Sequence, residues 1–239
     1  MNNLLYFIII AKFEIKLQLA KATDAISNLL FFIIFLAIFH LTCPHHKDFI
    51  NDLEQRIAII NIAILAIFAN NNQLFLKNEF DKGIIAQIFL NTQSNIIVIL
   101  AKMLINWLKI IIPLMIILAL YFIVFFIDVR NFNNFEQNSM IFNQTNLDFL
   151  IIIKILAIIS ISSLAINSIF AISGAISIIG NNLAISLIIA FPMLIPIIII
   201  GQTAIFNDFL ANIQILLAIA FLSIVISNIA IAKIIEIAE

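Results

Sequence analysis

"LAISLIIAFPMLIPIIIIGQTAIF", residues 183–206, runs from end to end without a charged side chain. About 20 apolar residues in a helix cross the ~30 Å hydrocarbon core of a bilayer, so this stretch reads as a transmembrane helix. The pattern recurs along the chain, giving six spans: Ala25–Leu41, Ile57–Asn70, Ile96–Ile127, Phe149–Ser173, Leu183–Phe206 and Ala211–Ile235. The composition agrees, with 64% hydrophobic and 10% charged residues where a soluble domain carries about 25% charged. So few charges cannot cover a globular surface. The chain reads as an all-α membrane protein with the lipid bilayer as its solvent.

The opening "MNNLLYFIIIAKFEIKLQLAK" has no basic start and no small-residue cleavage site, so it is not read as a cleaved leader. At 100° per residue, Ile9, Ile10, Phe13, Leu17 and Ala20 form one apolar stripe, and Ile8, Ile15 and Leu19 another. Lys12, Glu14 and Lys16 lie between them. Residues 3–22 are therefore expected to form an interfacial helix held between lipid and protein. Lysine and arginine favour the cytoplasmic side. Lys12, Lys16, Lys21, Lys77, Lys82, Lys102 and Lys233 against Lys47, Arg56, Arg130 and Lys154 give an N-in/C-in expectation.

Between spans two and three, "LFLKNEFDKGIIAQIF" (residues 74–89) mixes charges with Phe80, Ile84 and Ile88 at helical spacing. Residues 76–91 are expected to form an amphipathic cytoplasmic helix. The Asn-rich residues 128–148 read as an outer loop. Lys102 and Trp107 are the type of residue that anchors a helix at a membrane interface, and the second span is expected to bury Asn70, Asn71 and Asn72 near its inner end.

Reactive chemistry is sparse. A net charge of −1 gives no footprint for nucleic acid, and the single Cys43 excludes an intrachain disulfide. His40, Cys43, His45 and His46 are crowded in "HLTCPHH", but their spacing fits neither covalent haem attachment nor a zinc site. No phosphate-binding Gly-x-x-x-x-Gly-Lys-Ser/Thr motif occurs. The acids stand at span ends (Asp24, Asp128, Asp148, Asp208, Glu236), not in mid-membrane where a proton pump or intramembrane protease would hold them. No catalytic residue, metal ligand or cofactor-binding residue is expected, and no enzyme activity.

Three stretches resemble the CcmB family, the haem-exporter permease of the ABC-type cytochrome c maturation system. The first carries Glu79, Gly83 and Gln87, followed by Ala101, Lys102 and Trp107; the second is "IIPLMIIL" with Pro113; the third is Pro192-x-x-x-Pro196 running to Gly201. Ala86 stands where the family has an acid, and "GNNLA" (residues 180–184) lacks the family's basic, Gly-rich turn. The resemblance implies a single permease domain in the bacterial inner membrane, or a mitochondrial one. It also implies two partners, a separate ABC ATPase chain that holds the ATP and a membrane subunit that handles haem, and it leaves room for a homodimer.

Residues 76–91 would then be the coupling helix, with Glu79, Phe80, Asp81, Gly83, Ile84 and Gln87 as contact candidates. Haem would belong to the complex and not to this chain. The alternatives are a permease for another cargo and a non-transporting scaffold. Proline removes a helix hydrogen bond, so Pro192 and Pro196, with Gly201, are expected to bend or break the fifth span.

Overall fold

The structure is a computed structural model that describes residues 3–20, 22–42, 49–81, 83–90, 95–136, 144–180, 183–206 and 208–238. All described elements are helices: α1 (Asn3–Ala20), α2 (Ala22–Thr42), α3 (Phe49–Asp81), α4 (Ile84–Leu90), α5 (Asn95–Glu136), α6 (Gln144–Gly180), α7 (Leu183–Phe206) and α8 (Phe209–Ala238). Five hold stretches long and apolar enough to cross a membrane, namely Leu53–Asn71, Asn95–Ile127, Phe149–Gly180, Leu187–Ile205 and Phe209–Ile237. A shorter apolar stretch, Ile26–Thr42, lies in α2. These six match the expected spans in place and order.

Helix α6 is the centre of the bundle and packs on α3, α5, α7 and α8. Its residues 165–171 are all buried, and small side chains at Ala165, Ser168, Ala171 and Ala175 let neighbouring backbones approach. Lipid tails are as apolar as leucine, so close packing and interhelical hydrogen bonds hold such a bundle together. The surrounding helices each bury one stripe. On α2 this is Phe32, Leu36 and Phe39; on α7 it is Ala190, Leu194, Ile197, Gly201 and Ala204, at alternating spacings of four and three.

Helix α7 corrects one expectation. It is a continuous helix through Pro192 and Pro196, so of the expected bend or break the break is absent. Both prolines fall on its exposed face, off the packed stripe. Gly201 has a different role from the helix-breaking one expected of it. It is buried where α7 meets α6, and a Cβ at this position would stand 3.0 Å from Ser162 Oγ. A Gly201→Leu variant is expected to push the two helices apart, at a cost of about 1–3 kcal/mol, read as a lower melting temperature in detergent. Gly201→Ala should be much milder, because only the Ser162 hydroxyl must give way.

Helix α5 also runs on through Pro113, as far as Glu136, and α6 begins at Gln144. The segment expected as a loop over 128–148 is therefore helical at 128–136 and 144–148. Asn70 is exposed and donates to Asn28 Oδ1 at 3.4 Å. Asn71 is half-buried and donates to the Ile67 carbonyl at 3.0 Å. Neither is buried as expected; the side chain of Asn72 lies outside the described residues.

Two apolar clusters fill the bundle. The larger takes in Phe32, Ile57, Leu118, Phe122, Phe170 and Leu216. The smaller, with Ile85, Ile99, Met103, Ala175 and Ile235, joins α4 to the start of α5 and the ends of α6 and α8. Glu14 of α1 reaches Lys102 beside this smaller cluster. Helix α1, the Gly83 turn, α4 and the last turns of α8 therefore share one end of the bundle.

Candidate functional site

That shared end holds the Gly83 turn and the ion pairs of Lys102. Helix α3 stops at Asp81, and Gly83 follows with φ +66°, a left-handed conformation that an L side chain adopts only at a cost. The Gly83 amide donates to the Phe80 carbonyl at 2.8 Å, closing the end of α3, and the Gln87 amide donates to the Gly83 carbonyl at 3.1 Å, opening α4. One glycine thus ends one helix and starts the next, a common use of a left-handed glycine. The segment expected as one helix over 76–91 is two: the last turn of α3, and a separate α4 of 7 residues.

That division sorts the expected contact residues. Asp81 and Gln87 are exposed, and Gly83, Ile84 and Ile88 are half-buried. Phe80 packs, together with Phe89, against the smaller apolar cluster. Glu79 is 1% exposed. Glu79 therefore faces its own chain, where a contact candidate would be accessible, and Phe80 is half-buried against that chain. The exposed edge of the segment is Asp81 and Gln87, with Ile84 between them.

Glu79 has a specific reason to face inward. Its Oε2 accepts from Lys102 Nζ at 2.8 Å, and the same ammonium also donates to Glu14 Oε1. All three side chains are nearly inaccessible, at 4% for Lys102 and 1% for each glutamate. The junction brings together the interfacial-type helix α1, the last turn of α3 and the third turn of α5. Lys102 is therefore not an interfacial anchor, because its charge is consumed inside the protein. Trp107 is half-buried. Its Nε1 donates to Ser163 Oγ at 3.0 Å, tying α5 to α6, and that hydroxyl donates in turn to the Ser160 carbonyl at 2.7 Å.

Helix α1 itself is turned differently from its expected stripes. Phe7, Ile10, Ala11 and Glu14 face the bundle, whereas Ile8, Ile9, Phe13 and Ile15 are exposed together with Lys12 and Lys16. The stripes were placed by hydrophobicity, but a carboxylate that finds an ammonium sets the rotation of the helix instead. A buried ionised group must be paired. The sequence held a weak signal of this, a lone acid flanked by apolar residues in "IIIAKFEIKLQL".

At the opposite end, Arg56 is buried completely, although the sequence reading placed it among the outer-side charges. Its Nη1 donates to Tyr121 Oη at 2.9 Å. The guanidinium lies 4.6 Å from the Phe125 ring centre and 5.5 Å from that of Phe39, and His40 meets Tyr121 edge-on at 6.0 Å. These partners come from α2 and α5, so no local pattern around Arg56 could have found them. Lys154 Nζ lies over the Phe209 ring at 5.1 Å. No group of three or more metal-ligating side chains occurs among the described residues; Cys43, His45 and His46 lie outside them.

Six apolar helical stretches, one of them the central α6 on which four of the others pack, define a multi-pass integral membrane protein. The sequence model of the CcmB protein, the haem-exporter permease family, matches residues 5–238. The chain belongs to this family, whose members are membrane components of a haem-export ABC system. A comparison with curated proteins returns no match.

Proposed function

We propose that the chain is the permease subunit through which a separate ATPase chain drives haem delivery for cytochrome c maturation, with the α4 end of the bundle in the cytoplasm. The observation that carries this reading is the Gly83 turn. It sets a separate short helix after a span, and leaves Asp81 and Gln87 exposed with Ile84 half-buried between them. An apolar side chain flanked by polar ones is the anatomy of a small docking contact. Family membership supplies the expectation of an ATPase partner. The chain itself offers no phosphate-binding loop, so hydrolysis is assigned to that partner. The same reading places the haem-handling subunit alongside this one in the bacterial inner membrane, N-in and C-in, and gives this chain no cofactor of its own.

The experiment is an Ile84→Asp/Gln87→Lys double variant, expressed with its ATPase partner. Neither side chain is fully buried, so membrane levels should hold. Co-purified ATPase chain and ATP-dependent cytochrome c maturation should fall at least tenfold, equivalent to about 1.4 kcal/mol or more at the contact. Unchanged association with lost maturation would favour a scaffold role. Unchanged association and maturation would remove α4 from the mechanism.

A further inference from the structure

We propose that Lys102 is a positioning residue, whose ammonium, shared by Glu79 and Glu14, carries displacement of the Gly83 turn to α1. The inference rests on the coupling reading above and adds a route from the docking edge into the rest of the molecule.

Three observations converge on it. Glu79 stands on the last turn of α3, four residues before Gly83, so any tilt of α4 about the Gly83 turn acts first on the turn that holds this carboxylate. Among the described side chains of α1, Glu14 is the most deeply buried, and it meets the same ammonium. Beside the aliphatic stem of Lys102 lies a narrow apolar crevice, lined also by Ile85, Ile88 and Phe89 of α4 and by Ile235 of α8. The lysine therefore borders the underside of α4 while it holds α1 and α3.

The chemistry suits a moving joint better than a fastener. A buried ion pair is often no more stabilising than apolar packing of the same volume, so three charges are a poor choice for a static staple. An ammonium has three rotatable donors. It can tilt between two carboxylates while staying paired to both, whereas interdigitated apolar side chains resist sliding.

The test separates a joint from a staple. In the complete complex, the neutral triple variant Glu14→Gln/Glu79→Gln/Lys102→Met should assemble, and its ATPase chain should hydrolyse ATP. Cytochrome c matured per ATP hydrolysed should fall at least about fivefold, the lower range of coupling between sites, and Lys102→Arg should keep most of it. An unchanged ratio would overturn the proposal.

A second measurement keeps the wild-type junction. Spin labels at Lys12→Cys and Ile237→Cys, both exposed, report the distance between α1 and the end of α8, with and without nucleotide trapped on the ATPase. A shifted distance is expected, and an unchanged distance overturns the proposal. Loss of the ATPase contact at Gln87 would instead sink the coupling reading, and cross-linking scores that separately.

Discussion

Replacement of Lys102 by alanine is expected to be among the most damaging single changes in the chain, costing about 3–5 kcal/mol, the usual penalty for removing one partner of a buried ion pair. The variant leaves Glu14 and Glu79, each 1% exposed, without the ammonium that both accept from. Buried carboxylates that lose a shared ammonium are far more costly than the ion pairs they came from. Whole proteins are stable by only about 5–15 kcal/mol, so the variant should accumulate poorly, and what is recovered should melt many degrees lower in detergent. Lys102→Met combined with Glu14→Gln and Glu79→Gln should recover most of that loss, because the charge demanding a partner is gone. If Lys102→Ala melts within a degree or two of the parent, the junction does not hold the three helices as described.

A comparable loss is expected for Arg56→Ala at the opposite end. The guanidinium donates to Tyr121 Oη at 2.9 Å and lies 4.6 Å from the Phe125 ring centre. A hydrogen bond to a charged group contributes about 1.5–3 kcal/mol, a desolvated cation–π contact about 2 kcal/mol, and truncation of a fully buried side chain leaves a cavity besides. These effects are not additive, and about 3 kcal/mol or more is the expected total. Tyr121→Phe, which removes only the hydroxyl, should cost about 1–2 kcal/mol. Arg56→Lys should fall between them, since an ammonium keeps the charge but cannot lay a planar face on Phe125. Melting of the three variants side by side checks the order; an Arg56→Ala protein as stable as Tyr121→Phe would contradict the aromatic packing.

The spans were legible because their signal is local. Twenty apolar residues in a row need no neighbour to be recognised, and all six expected spans coincide with helical apolar stretches. The faces of the helices were not legible in the same way. In α1 the periodicity of isoleucine and phenylalanine gave two plausible buried stripes, and the actual buried face is decided by Glu14 meeting Lys102, a residue 88 positions away. Trp107 and Lys102 look like interfacial residues by type, yet each is claimed by a partner on another helix.

Gly83 stands in a motif that the sequence shows, but its consequence, a left-handed turn that splits the expected coupling helix, depends on a backbone angle that no pattern of side chains records. The prolines of α7 do not interrupt their helix. A proline weakens a helix, but on an exposed face away from the packed stripe the helix continues through it. For a chain with so few charges, the informative residues are therefore the polar ones inside, and their partners are set by the bundle and not by the neighbouring sequence.

The central claim is that the short helix after Gly83 is where an ATPase chain docks, and site-specific photo-cross-linking in membranes containing the full complex tests it most directly. A photoreactive residue at Gln87, on the exposed edge of α4, is compared with one at Leu150, exposed at the opposite end of the bundle. The account expects a covalent adduct with the ATPase chain from Gln87 and none from Leu150. An adduct from Leu150, or none from Gln87 while the complex remains intact, would contradict it.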